Sequence, residues 1–236
     1  MDERIKKIRK NEEISHTKAY TSEKLYESTG WLNKPIKSVE ETVSIFSGFN
    51  NVRVLDLGCG VGRNSIYIAE RLREIKCKID CVDLLPIAIE ILNDNATKYN
   101  VKDIINGIVS SIEEFTICEN SYDFICSVSS LEHVESIDNF NNKLHEIKNG
   151  LKIGGIVLLV INSDVLEIDK NTQETVDANF EVNIDTESLI NLLNKEFCDF
   201  EVLRLSNSYQ KYDIPRENNI TELSTTVVTF VARKIK

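Results

Sequence analysis

The sequence predicts an α/β domain, a mostly parallel sheet with helices on both faces and an antiparallel strand near the C-terminus. Three observations carry this. Val52 to Glu70, VRVLDLGCGVGRNSIYIAE, is an apolar run ending in an acid, then three glycines at alternate positions, then an apolar-periodic segment; such a pattern describes a buried strand, a tight loop and a helix. Cys77 to Val82 repeats the apolar run, with Asp83 at its end and a helical pattern beyond. Tyr122 to Val128 and Ile156 to Ile161 are further apolar runs separated by a helical stretch, and strands alternating with helices build parallel sheets.

Taken in order, residues 1–45 read as an N-terminal helical cap segment on a domain spanning 46–236, one globular unit overall. The 236 residues suit a single core. Residues 1–20 are charged, with Ile5, Ile8 and Ile14 at loose helical spacing, and are expected to be solvated and partly frayed. Tyr20, Tyr26 and Trp31 follow. These aromatics either staple the segment to the sheet or line a substrate pocket, since both rings suit either role. Val39, Val43, Ile45 and Phe46 suggest a helix leading to the first strand.

In the glycine loop, Gly58, Gly60 and Gly62 lack a Cβ, so a ligand can approach the main chain, and the next helix points free N–H groups at it. Dinucleotide enzymes want G-x-G-x-x-G, but the third glycine position here is Arg63. Asp83 lies at about the interval expected of an acid that accepts hydrogen bonds from ribose hydroxyls. It also fits a capping aspartate before Leu84, Leu85 and Pro86, and the two roles are compatible.

Leu85 to Tyr99 is an amphipathic helix, and Asp103 to Val109 a third strand. Tyr122 to Val128 ends at Ser127-Val128-Ser129-Ser130-Leu131-Glu132-His133-Val134, the sheet edge where open α/β folds bind ligands. Phe140 to Leu151 is a helix, and Gly154-Gly155 turns into the most apolar strand. Asn162 to Asp185 is polar and is expected to be a lid, a binding loop or a disordered insert. A helix over Thr186–Phe197 precedes strands at Phe200–Ser206 and Ser224–Ala232, joined by a long excursion from Tyr209 to Asn219.

The segment Asp56-x-Gly58-x-Gly60-x-Gly62 in DLGCGVGRN resembles the first motif of class I S-adenosylmethionine-dependent methyltransferases. LKIGG before the fifth strand and the closing helix and strand pair are similar to the same family. The resemblance runs from about residue 45 to the C-terminus, and GRNSIYIA with TTVVTFVARK looks most similar to tellurite-resistance-type and other small-molecule methyltransferases. It implies a Rossmann-like sheet of seven strands and S-adenosyl-L-methionine as cofactor. Carried onto this chain, it implies a cofactor site of Asp56, Gly58, Cys59, Gly60, Gly62, Arg63, Asn64, Asp83, Leu84, Ser111, Ile112 and Ser127. In the family an acid commonly holds the adenine amino group where Ser111 stands, so this chain departs there. The Asn/Asp-Pro-Pro-Tyr/Phe sequence of methyltransferases acting on adenine or glutamine amino groups is missing after the fourth strand, which makes those substrates unexpected.

Methyl transfer from a sulfonium needs positioning more than acid or base. Where an acceptor must lose a proton, His133 is the best-placed base, with Glu132 and Tyr26 weaker candidates; the alternative is that His133 packs or caps the following helix. Tyr20, Tyr26, Trp31 and His133 are the candidate substrate contacts, and His16 and His145 read as surface residues. A cofactor-binding partner protein without catalysis, or an NAD-dependent enzyme, are the competing readings.

The net charge of −10 argues against a broad nucleic-acid footprint and leaves a small-molecule substrate as the expected partner. Six cysteines without CxxC pairs read as reduced core thiols. Cys77 and Cys81 share a strand face, but with no second pair or nearby histidine no metal is expected. No stretch is apolar enough to span a bilayer and the N-terminus lacks a signal peptide's apolar centre, so a cytoplasmic location is expected.

Overall fold

The computed structural model describes residues 2–27, 29–216 and 219–236. Its sheet contains β1 (Asn51–Leu57), β2 (Lys76–Asp83), β3 (Ile105–Val109), β4 (Tyr122–Val128), β5 (Leu151–Asp169), β6 (Thr175–Val176), β7 (Phe200–Pro215) and β8 (Ile220–Lys234). The order is β3-β2-β1-β4-β5-β8-β7, with β6 paired to β5 off this path. Pairings among β1 to β5 are parallel, and β8 runs antiparallel to β5 and β7. The order reverses between β1 and β4, and that switch point opens a crevice at the strands' carboxyl ends.

Alternation along β1 divides the core. Val52 and Val54 pack with Ile66, Leu92, Phe124 and Leu158 beneath α2 (Lys37–Val43), α3 (Ser65–Arg71) and α4 (Pro86–Lys98). Leu55 and Leu57 face the other way, toward Phe140 and Leu144 of α5 (Ile137–Gly150) and Leu193 of α6 (Thr186–Glu196). Both faces are therefore covered, as a parallel sheet requires. Among the described residues no helix is long and apolar enough to cross a membrane.

The structure corrects three expectations. Residues 3–22 form one helix, α1, capped by Asp2, whose carboxylate accepts from the Arg4 amide at 3.3 Å, and Ile5, Ile8 and Tyr20 are buried. The sheet has eight strands among the described residues, not seven, because β6 adds a short pair at the far end of β5.

The first third of the supposed loop, residues 162–169, and most of the excursion from 209 are strand. β5 pairs with β8 out to Asp169↔Thr221, and β7 pairs with β8 out to Pro215↔Ile220; Glu217 and Asn218 of the expected excursion lie outside the described residues. The inward positions here include polar groups with partners, which hides the alternation. The Ser163 hydroxyl donates to the Thr226 carbonyl at 2.7 Å, and buried Glu167 accepts from Arg216 Nε at 2.8 Å. A buried carboxylate is tolerated where it is so paired.

Candidate functional site

The loop leaving β1 is fastened to the end of β2. The Gly58 and Cys59 amides donate to the Val82 carbonyl at 2.8 and 3.0 Å. One Asp83 oxygen accepts from the Gly60 amide at 2.8 Å and the other from the Leu85 amide at 3.0 Å. Burial raises the Asp83 pKa, and the two amide bonds oppose that rise. The same carboxylate thus shapes the glycine loop and borders the crevice.

Over the switch point lies a cleft of about 700 Å³, its open mouth included. The floor is Gly58 with φ of +73°, and a Cβ there would lie 2.2 Å from the Ser130 Cβ. One side is Asp83, Leu84, Leu85, Ser111 and Ile112, and the other is Ser129, Ser130 and His133. Helix α1 supplies the third wall through Arg9, Glu12, His16 and Tyr20. Their spacing of three, four and four residues puts them on one helix face. The Tyr20 hydroxyl comes 2.9 Å from where a Gly60 Cβ would sit, so the helix lies directly on the loop.

Of the residues singled out in the sequence, Gly58, Asp83, Leu84, Ser111, Ile112, Tyr20 and His133 border this cleft. The others stand behind it or to one side. Asp56 is 1% exposed and ties β1 to α3 by accepting from the Ser65 hydroxyl. Ser127 is fully buried, its Oγ 2.6 Å from that of Ser130, which donates to the Leu57 carbonyl at 2.7 Å. Ser130, not Ser127, therefore presents its surface to the cleft.

Arg63 lies over the Trp31 ring at 5.3 Å and donates to the Trp31 carbonyl at 3.0 Å, while Asn64 accepts from the Ile36 amide at 3.2 Å. Both residues pin the 31–36 segment against the loop. Tyr26 does the same. Its hydroxyl donates to the Arg63 carbonyl at 2.6 Å and its ring meets Tyr99, so the structure moves it from the acceptor side of the site to the scaffold. Trp31 is 45% exposed and supports the cleft indirectly, its ring 5.9 Å from that of Tyr20.

His133 sits in an acidic corner. Its Nδ1 is 2.9 Å from Glu181 and 3.0 Å from Glu12, and its ring stacks on Phe180. Burial pulls its pKa down, but the hydrogen bond to Glu181 and the charges of Glu12, Glu132 and Glu181 outweigh burial and hold it at about 9. That direction favours the imidazolium, which cannot accept a proton, so the acidic corner counts against the general-base expectation. His16 is a cleft residue rather than a surface one, whereas the His145 side chain is 64% exposed. Sequence reasoning missed Arg9, Glu12, Glu113 and Glu181; only the one-face spacing on α1 signalled the first two.

The Asp56 carboxyl gives a pH test. Burial, opposed by the Ser65 hydroxyl and the Cys126 thiol, raises its pKa from 3.8 to about 6. The folded state therefore binds this proton more tightly than the unfolded chain, and the resulting stability is present below pH 4 and lost as pH rises through 6. Asp56→Asn removes the titration. Relative to the wild type, the variant gains roughly 2 kcal/mol between pH 4 and pH 7.5 in urea unfolding, most of the effect of about two pKa units. A difference that stays flat across that range contradicts the assignment.

Comparison with known proteins adds to the geometry. Residues 54–155 match the family described as "Methyltransferase domain". A ubiquinone biosynthesis O-methyltransferase of Rickettsia felis is 30% identical over 117 residues, 49% of this chain and 45% of that protein. The chain spans about half the length of the curated relatives it matches. Among solved structures, TehB from Haemophilus influenzae superposes with a TM-score of 0.65 at 22% identity, covering 89% of this chain and 64% of that one. YcgJ from Bacillus subtilis superposes with a TM-score of 0.59 at 13% identity, covering 84% and 98%; at such identities the likeness shows the fold. Matched motif, sheet order and family description point the same way: over residues 54–155 the chain is similar to methyltransferase domains, and its fold is the one those neighbours share.

Proposed function

We propose that this chain transfers a methyl group from S-adenosylmethionine to a small-molecule acceptor. The observation that carries the reading is the cleft at the switch point. Its Gly58 floor has no room for a side chain, Asp83 stands at the β2 end where ribose hydroxyls need an acceptor, and α1 closes a third side. The residues present fit the cofactor. Bound there, S-adenosylmethionine supplies an electrophilic methyl on a sulfonium. The chain's contribution is to hold the acceptor in line and exclude water, as Tyr20, His16 and the acidic corner around His133 are placed to do.

A small acceptor is supported by the cleft, walled on three sides, and by the curated relative, named for ubiquinone biosynthesis. The net charge of −10 fits a nucleic-acid acceptor poorly. Arg63, fixed on Trp31, stands where the dinucleotide fingerprint has glycine, which disfavours NAD.

Methyl-labelled S-adenosylmethionine incubated with the protein and a panel of small hydroxyl, thiol and amine acceptors is expected to leave label in at least one of them. Calorimetry is expected to show binding of S-adenosylhomocysteine and not of NAD. Cofactor binding with no label transfer to a cell-extract metabolite pool would reduce the protein to a binder, and binding of NAD alone would overturn the reading.

A further inference from the structure

We propose that Glu12, His133 and Glu181 form a binding site for a divalent transition-metal ion on the wall of the cleft. The residues come from α1, from the turn after β4 and from the segment between β6 and α6, and their ligand atoms lie within 4.8 Å of one another. No sequence spacing brings the three together.

Two carboxylates crowd one imidazole nitrogen. Nδ1 of an imidazole offers one N–H or one lone pair, so it serves one good partner. Here two carboxylate oxygens, Glu181 Oε2 and Glu12 Oε1, stand 2.9 and 3.0 Å from that one nitrogen. With metal–ligand bonds of about 2.1 Å, neighbouring ligands of an octahedral ion are about 3.0 Å apart, against about 3.4 Å for a tetrahedral ion. The two edges that meet at Nδ1 fit the octahedral spacing.

A second observation is independent of those edges. The Glu181 side chain is 0% exposed, and its Oε1 is buried without a hydrogen-bond partner; Arg9 Nε, at 3.7 Å, is too far to donate. Glu132 Oε2 is likewise buried and unpartnered. Five carboxylates, Glu12, Glu113, Glu132, Glu135 and Glu181, face Arg9 and His133, so the corner lacks positive charge. Buried carboxylates call for a cation.

One imidazole nitrogen with two carboxylate oxygens suits Mn²⁺, Fe²⁺ or Zn²⁺. Three protein ligands leave the remaining positions of a six-coordinate ion for water or a substrate oxygen. Because one ligand is on α1, the ion also fastens that helix to the cleft. The site stands whether or not the methyl acceptor is as proposed above, since ion binding is measured without cofactor.

The test uses the untagged full chain, stripped with a chelator and titrated with Mn²⁺ by electron paramagnetic resonance and with Zn²⁺ by calorimetry. One ion per chain is expected. Glu12→Gln and Glu181→Gln each weaken binding at least about tenfold, while Glu135→Gln, in the same acidic corner but outside the three ligands, stays within threefold of wild type. Hydrogen exchange of the wild type is expected to show α1 amides protected when Mn²⁺ is added, a readout that survives if the variants fail to fold. Wild-type protein that binds neither ion, ligand variants that bind as tightly as wild type, or ion binding that leaves α1 exchange unchanged would each overturn the site.

Discussion

Asp83→Ala is expected to lower affinity for S-adenosylhomocysteine at least a hundredfold, about 2.8 kcal/mol. Two losses add. The ribose hydroxyls lose a charged acceptor, and the Gly60 and Leu85 amides, which donate to the two Asp83 oxygens at 2.8 and 3.0 Å, lose theirs. An orphaned buried donor costs about 1–3 kcal/mol, and bonds to a charged group are the stronger kind. Asp83→Asn separates the two losses. Asparagine keeps one acceptor oxygen for the loop but removes the charge and turns the second oxygen into a donor, so an intermediate loss of about tenfold is expected. Calorimetry with S-adenosylhomocysteine reads the affinities, and thermal unfolding of each variant shows whether the loop still folds. Folded Asp83→Ala protein with wild-type affinity would sink the ribose assignment, and the cofactor reading would lose its second anchor.

Asp83 was legible in the sequence because its surroundings are local and built from backbone. A strand-ending acid after a glycine loop needs no long-range partner to be recognised, and the loop's amides bond within the same unit. The α1 wall was illegible for the opposite reason. Arg9, Glu12, His16 and Tyr20 face the cleft with polar groups, so the helix buries few apolar residues and its periodicity looks weak, although the stripe repeats at helical spacing. The far halves of β5, β7 and β8 were hidden by polar residues that are buried but paired, Ser163 with Thr226 and Glu167 with Arg216. At the end of β4 the sequence offered three serines, and the family resemblance pointed to Ser127. Ser129 adopts φ of 51°, breaking the alternation and turning Ser130 back toward Leu57, so the wall fell three residues later. The meeting of Glu12, His133 and Glu181 is purely tertiary.

Gly58→Ala is expected to destabilise the protein by more than about 3 kcal/mol and to abolish S-adenosylhomocysteine binding, whereas Gly154→Ala costs only about 1–2 kcal/mol. The two glycines share the backbone problem, with φ of +73° and +82°, but not the space. A Cβ on Gly154 meets nothing within 4 Å, so its cost is conformational strain alone. A Cβ on Gly58 would stand 2.2 Å from the Ser130 Cβ and 2.6 Å from its Oγ. Ser130 cannot swing aside cheaply, because its hydroxyl donates to the Leu57 carbonyl and meets Ser127. Adding Ser130→Gly removes the clashing atoms, and the double variant is expected to recover most of the steric loss, leaving a deficit near that of Gly154→Ala plus the lost serine bonds. Urea unfolding of the four proteins with the wild type measures both terms. If Gly58→Ala costs no more than Gly154→Ala, the floor of the cleft is looser than the Gly58–Ser130 contact requires. If instead the double variant regains stability but not cofactor binding, the Ser130 side chain shapes the cleft as well as filling the space beside Gly58.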